Sequence, residues 1–194
     1  MQRRMILSGT AIVLLSGALW FLRAPNGLSE QEFESLYKDP LPAPVLPVSL
    51  YHLGHSLVGR DMPAMFAALG GHSYASQLGW GASLLGHWTG DVPGFSEENT
   101  HPQFRPAAEA ADSGEYGVVV LTEMVEIRDA IKYFDSPEYL AKWAARFRAA
   151  QPETRVFLYE TWHSLDDPKG WLDRIDEDLS GQWEGEILRT ALST

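Results

Sequence analysis

The sequence predicts an α/β fold in which helices flank a parallel β-sheet. Strands that alternate with helical patterns form right-handed βαβ units, and such units build a parallel sheet. Two of the predicted strands are continuous apolar runs, as expected for strands buried on both faces. The four predicted strands are residues 48–53, 72–78, 116–121 and 155–159.

Apolar residues at helical spacing predict the main helices. The first follows the first strand and ends at Gly70-Gly71. The second begins at Ser136-Pro137, where proline suits the first helical position, and a last amphipathic helix or broken pair closes the chain. The apolar positions are Met62, Met65, Phe66 and Leu69 in the first, Leu140, Trp143, Ala144 and Phe147 in the second, and Leu172, Ile175, Leu179, Trp183 and Ile187 in the last.

One stretch lacks an apolar period, and another carries a run of charged residues. Residues 86–113 are long for a structureless loop, which points to a functional or a poorly ordered segment. The charged run over residues 173–178 predicts a solvated helix face.

The first 23 residues predict a targeting segment. Arg3 and Arg4 precede an apolar run over residues 5–22, as in a signal peptide. The run is about as long as the shortest membrane-spanning helices. Small residues at 16–18 offer a cleavage site, but the apolar run continues beyond them, which favours an uncleaved anchor. The body would then be exported, either to the periplasm or anchored in the inner membrane.

Residues 24–47 predict a linker that carries a short helix. Ser29 and Glu32 have the spacing of a capping box. Four prolines between residues 40 and 47 favour extended backbone. The folded domain is therefore expected over residues 48–194.

Composition excludes several kinds of site. The chain has no cysteine, which rules out disulfides and thiolate metal sites. Its formal net charge of −11 argues against a nucleic-acid partner. His52 and His55 lie three residues apart on a predicted strand, so their side chains point to opposite faces and do not suit a shared metal. We expect no metal and no cofactor, and contact with a membrane only through the N-terminal segment.

Ser56 is the candidate nucleophile. It follows the first predicted strand and precedes a helix, and sites in open parallel sheets form beyond the carboxyl ends of the strands. Its hydroxyl would lie at the crevice, and its backbone N–H could stabilise a developing oxyanion. Gly54 would permit the tight turn.

The segment Gly54-His55-Ser56-Leu57 resembles block I of the SGNH (GDSL-type) hydrolases, with His55 in place of the familiar aspartate. The resemblance implies a three-layer, flavodoxin-like sheet and an esterase, lipase or deacetylase activity. Gly81 resembles the oxyanion-hole glycine of block II, although a plain glycine turn explains it equally well. Glu123 stands where block III has an asparagine. Because an ionised carboxylate cannot donate a hydrogen bond, Glu123 would orient a neighbour such as His55 or be protonated by burial.

The block V motif Asp-x-x-His, which supplies the general base in that family, does not occur in this sequence. Glu160 and His163 have its spacing, so His163 is the candidate base, although a hydrogen-bonded loop histidine is the commoner case. The resemblance covers residues 46–165 and implies that the last strand is missing. We therefore expect a shortened relative in preference to one in which His163 has taken over as base.

Three tryptophans, Trp80, Trp88 and Trp162, flank the predicted strand ends. They predict either a sugar-binding platform or ordinary packing, which is the commoner fate of tryptophan.

The sequence thus predicts a serine-dependent ester hydrolase of the cell envelope, an esterase or carbohydrate O-deacylase. Its substrate would be a small-molecule or glycan ester. The alternative is a catalytically inactive SGNH-like domain that binds a glycan or a protein partner.

Overall fold

A computed structural model describes residues 27–44, 47–163, 168 and 171–194. The predicted targeting segment, residues 1–23, lies outside these described residues. Among the described helices, none is both long enough and apolar enough to cross a bilayer.

In the described part of the chain, four parallel strands form one sheet. They are β1 (Ser49–His55), β2 (Ser73–Gly79), β3 (Val118–Leu121) and β4 (Arg155–Leu158). Their order across the sheet is β2-β1-β3-β4, which is the order of the first four strands in flavodoxin-like sheets. The predicted α/β fold and its four strands are confirmed.

Helices flank this sheet. The chain moves from β1 to β2 in one direction and from β2 to β3 in the other, so right-handed crossovers place the connecting helices on opposite faces. The helices are α1 (Glu30–Leu36), α2 (Asp61–Gly70), α3 (Leu84–Thr89), α4 (Phe95–Glu98), α5 (Ala107–Ser113), α6 (Ile127–Tyr133), α7 (Ser136–Ala150), α8 (Trp171–Glu177), a π-helical segment (Asp178–Leu188) and α9 (Arg189–Ala191).

The hydrophobic core lies between the sheet and α7. Proline in the first turn starts α7 as predicted, and Leu140, Trp143 and Phe147 are buried along one side of it. The Trp143 indole N–H donates to the Leu84 carbonyl over 3.1 Å, which ties α7 to α3. Truncating such a residue to alanine typically costs about 3–5 kcal/mol.

Helix α2 forms where it was predicted, but its apolar stripe does not face the core. Met65, Phe66 and Leu69 are 65%, 56% and 87% exposed. Pro63 is buried instead, and Ala67 is half-buried. These small side chains let α2 lie close to the sheet, and the stripe of larger ones beside them is left facing outward.

The aperiodic stretch 86–113 is ordered. Most of α3 and the whole of α4 and α5 fall within it, and Phe104 forms a parallel bridge to Ser76. The Asn99 side chain bonds both the N–H and the carbonyl of Leu78, over 2.9 and 2.8 Å. No period was visible because the helices are four to seven residues long and side chains fix the segment between them.

The predicted solvated face over residues 173–178 is wrong for two of its members. Arg174 and Asp178 have side chains only 5% exposed, and the Arg174 Nε lies 3.0 Å from the Asp178 Oδ2. Leu172 and Leu179, which were predicted to be apolar contacts, are 63% and 39% exposed. The change from α8 to a π-helical segment at Asp178 alters the number of residues per turn, so one α-helical stripe does not continue through it.

The short helix predicted within residues 24–47 is present as α1. The Ser29 N–H donates to the Glu32 carboxylate over 2.8 Å, and the Glu32 N–H donates to the Ser29 hydroxyl over 3.3 Å. Together these bonds complete the predicted capping box.

Candidate active site

The strand order reverses between β1 and β3, and a crevice opens at the carboxyl ends of strands at such a point. The segments that follow β1 and β3 meet here. His55 Nδ1 accepts from the Leu57 N–H over 3.3 Å, so Nε2 carries the hydrogen and donates to the Glu123 carbonyl over 2.8 Å. Burial lowers the pKa of His55, partly opposed by this bond. His55 therefore ties the two segments together as a neutral ring.

Ser56 is the first residue after β1, and its side chain is exposed. The turn that begins at Ser56 is closed by the N–H groups of Val58 and Gly59, which donate to the His55 carbonyl over 2.9 and 3.1 Å. Within the described residues the Ser56 hydroxyl makes no hydrogen bond. The predicted location of Ser56, beyond the end of a central parallel strand, is confirmed.

Gly54 belongs to β1 and not to the turn, so its predicted role is wrong. A Cβ at this position would lie 2.8 Å from the Val58 Cγ2 and 3.0 Å from the Thr122 Cβ. Glycine is therefore needed for close packing between β1 and its neighbours. The left-handed residue of the turn is Gly59, with φ of 60°.

Gly81 follows β2 at the same edge of the sheet. His55 of β1 and Gly79 of β2 are partners in register, so Ser56 and Gly81 leave neighbouring strands at similar height. Gly81 has φ of 56° and is exposed, and a Cβ there would meet nothing within 4 Å. This left-handed backbone conformation is sufficient reason for a glycine in the turn. The role of Gly81 in binding the oxyanion stays a prediction.

The Glu123 carboxyl is fully buried just beyond the carboxyl end of β3. Its Oε1 accepts from the Met124 N–H over 2.7 Å and from the Leu84 N–H over 3.2 Å. Burial raises the pKa of Glu123 to about 7, against the opposing effects of those N–H groups and the nearby Ser136 hydroxyl. Among the described residues, neither the Glu123 Oε2 nor the Ser136 Oγ finds a partner for a hydrogen bond of normal geometry. The raised pKa of Glu123 has the direction that the predicted protonation by burial requires, whereas His55 contacts the backbone of Glu123 and not its carboxylate.

A second buried histidine, His87, was not singled out from the sequence. The Ala107 N–H donates to the Gln77 Oε1 over 2.8 Å, and the Gln77 amide donates to His87 Nδ1 over 2.9 Å. His87 Nε2 then donates to the Gly54 carbonyl over 2.9 Å. Burial lowers the pKa of His87 to about 4. Both ring nitrogens of His87 are engaged in hydrogen bonds, so His87 has a structural role and links β1 to Gln77 of β2.

His163 lies five residues beyond the end of β4, and its side chain is 3% exposed. The carboxylate near it is Asp178 and not the predicted Glu160, with 3.8 Å between His163 Nδ1 and Asp178 Oδ2. These side chains border a cavity of about 10 Å³. β3 separates β4 from β1, so the two strands are roughly 10 Å apart. Among the described residues, no contact joins His163 to Ser56.

Asp178 could not be found from sequence spacing, because it is carried by the C-terminal helices, 15 residues after His163. Arg174 and Arg128 hold its carboxylate, with Arg128 Nη2 at 3.2 Å from the Asp178 Oδ1. Arg174 also pairs with Glu126. This cluster ties the C-terminal helices to the segment after β3.

The described part of the chain holds no group of three or more histidine, aspartate or glutamate residues placed to bind a metal ion. Comparisons with protein-family models, with curated proteins and with solved structures give no match. The resemblance to SGNH hydrolases therefore stays a prediction from the sequence.

Proposed function

We propose that this chain is a serine-dependent ester hydrolase of SGNH type, an esterase or carbohydrate O-deacylase that acts at the cell envelope. The position of Ser56 carries the proposal. Its exposed hydroxyl is the first side chain beyond the central strand β1, at the point where the strand order reverses.

In the proposed reaction, the Ser56 Oγ loses its proton to a base and bonds to the ester carbonyl carbon. The backbone N–H groups of Ser56 and Gly81 would stabilise the oxyanion. The bond to the alcohol then breaks, and the alcohol leaves with the proton. Water hydrolyses the acyl-serine by the same steps and regenerates Ser56.

The base determines how fast this reaction runs. His55 and His87 have both ring nitrogens in hydrogen bonds, so neither can accept the proton from Ser56. His163, the candidate base from the sequence, is buried beside Asp178, and in the part of the chain that the structure describes no contact joins it to Ser56. We therefore propose slow turnover, supported by oxyanion stabilisation that alone gives ~10³-fold over water in other serine hydrolases.

A second candidate function is a binding domain without catalysis. A groove of about 1830 Å³ runs between α1, α7 and β4, away from Ser56. Leu36, Tyr37, Leu41 and Phe157 line it and are 55%, 60%, 68% and 49% exposed. An exposed apolar groove of this kind is typical of a surface that receives a partner.

Hydrolysis of p-nitrophenyl acetate by purified protein separates the two functions. Ser56→Ala should abolish turnover, whereas Ser96→Ala, at an exposed serine of α4, should leave it unchanged. If His163 is the base, His163→Ala should lower the rate by ~10²-fold. Activity that survives Ser56→Ala would contradict the proposal, and no activity in the wild type would favour the binding domain.

A further inference from the structure

Trp80 is an exposed aromatic side chain at the same sheet edge as Ser56. It directly follows β2, whose neighbour β1 ends immediately before Ser56. Its side chain is 52% exposed, although its backbone N–H is held by the Pro93 carbonyl over 2.7 Å. A large apolar ring is therefore presented to solvent at the same edge of the sheet as the candidate nucleophile.

The Trp80 ring is fixed in place. A Cβ on Gly94 would lie only 2.3–2.6 Å from the indole atoms Cδ2, Cε2 and Cγ, so the ring packs directly over this glycine. The indole N–H donates to the Glu98 Oε1 over 2.8 Å. One face of the indole thus packs against backbone, and its N–H is held by a hydrogen bond. Because the ring is already ordered, little side-chain entropy would be lost when a ligand stacks on its exposed part.

The other two tryptophans at the strand ends differ from Trp80. Trp88 packs in the core, with its ring centroid 5.0 Å from that of Trp143 and 6.2 Å from that of Tyr139. Trp162 is 48% exposed but lies after β4, beside His163. Of the three predicted platform residues, Trp80 is the one that is both exposed and placed beside the Ser56 turn.

Polar groups surround the Trp80 ring. The Glu98 Oε2 lies 3.9 Å from Arg60 Nε, and Arg60 ends the turn that begins at Ser56. Burial and the charge of Arg60 lower the pKa of the nearby His101, and the charge of Glu98 acts to raise it. An exposed aromatic ring bordered by hydrogen-bonding groups suits a ligand that has one apolar face and hydroxyl groups around its edge.

We propose that Trp80 is a stacking subsite for a neutral sugar ring. The C–H face of a pyranose would lie on the indole, and its hydroxyls would reach Glu98 and Arg60. The net charge of −11 disfavours anionic sugars and nucleotides, which would otherwise stack on the same ring. The inference rests on the proposed function in one respect: the sugar bound at Trp80 would carry the ester that Ser56 hydrolyses.

Calorimetric titration and ¹⁹F NMR of 5-fluorotryptophan-labelled protein test the subsite. The neutral probes are hexasaccharides of glucose, xylose and N-acetylglucosamine, and a galacturonate hexamer is the anionic probe. We expect at least one neutral probe to bind and shift the resonance that Trp80→Phe removes. Trp80→Ala should weaken this binding by about tenfold, on the scale of aromatic stacking, and Trp162→Ala should leave it unchanged.

Gly94 provides a second test that keeps the tryptophan. Gly94→Ala should displace the indole and weaken binding as Trp80→Ala does. Gly71→Ala is the matched control, because Gly71 has nearly the same φ, 64° against 65°, and open space where its Cβ would lie. Near-ultraviolet circular dichroism and thermal melting would show that both variants fold.

Ser56→Ala separates this inference from the proposed function. It should bind the sugar as the wild type does, even if the wild type proves to have no esterase activity. The subsite is overturned if none of the neutral probes shifts the Trp80 resonance. It is also overturned if binding persists in Trp80→Ala, or if the galacturonate hexamer binds more tightly than every neutral probe.

Discussion

Glu123 places a carboxyl group in the core at the carboxyl end of β3, where burial raises its pKa from the usual 4.5 to about 7. Below pH 4.5 the carboxyl is protonated in both the folded and the unfolded chain. As the pH rises towards 7 the unfolded chain ionises first, so the folded state loses stability across this window.

Glu123→Gln should therefore stabilise the protein at pH 8 by about 3 kcal/mol, because glutamine keeps the acceptor oxygen but carries no charge. The gain should disappear near pH 4. Urea unfolding at several pH values measures it, with Glu153→Gln as an exposed control. A Glu123→Gln variant that is less stable than the wild type at pH 8 would show that the buried charge is needed.

At the scale of elements, the ion pairs around Arg174 hold the C-terminal helices against the segment after β3. Burial acts to raise the pKa of Glu126, but Arg174 and Arg128 outweigh it and lower that pKa. Arg174→Met leaves Asp178 buried without this partner, and we expect it to cost about 3–5 kcal/mol. Thermal or urea unfolding measures the loss.

Lys142→Met is the matched control for Arg174→Met. It removes the pair between Lys142 and Glu138, two exposed residues four apart on α7, and pairs of this kind contribute about 0.5 kcal/mol or less. Equal destabilisation by both variants would mean that the Arg174 cluster adds no more than an exposed pair.

The strands could be predicted from the sequence because continuous apolar runs such as Val118–Leu121 have few alternatives to a buried parallel strand. The orientation of α2 could not, because Met65 and Leu69 have the spacing of a core stripe while small residues form the contact. The C-terminal region departed from its pattern because a π-helical segment alters the number of residues per turn.

Part of the candidate site could likewise be predicted from the sequence, and part of it could not. Ser56, Gly81 and Glu123 follow consecutive strands, so strand prediction alone places them at one edge of the sheet. The Gln77–His87 support and the approach of Asp178 to His163 depend on how separate elements pack. Short motifs do not encode such contacts.

For the whole molecule, the N-terminal charge pattern makes a prediction about cellular location. The pair Arg3-Arg4 before an apolar run should direct export of everything beyond the linker. A reporter that is active only in the periplasm, fused after Pro47, should be active and should sediment with membranes. Removal of residues 1–23 should abolish the reporter signal, and an active, soluble reporter after that removal would contradict the prediction.

The central claim is that Ser56 is a reactive nucleophile at the crevice where the strand order reverses. A fluorophosphonate measures this directly, because the Ser56 Oγ would bond to phosphorus, displace fluoride and give up its proton. Peptide mass spectrometry should locate one adduct on Ser56 in folded protein and none in heat-denatured protein or in Ser56→Ala. Folded protein that carries no adduct on Ser56 after prolonged exposure would contradict the account.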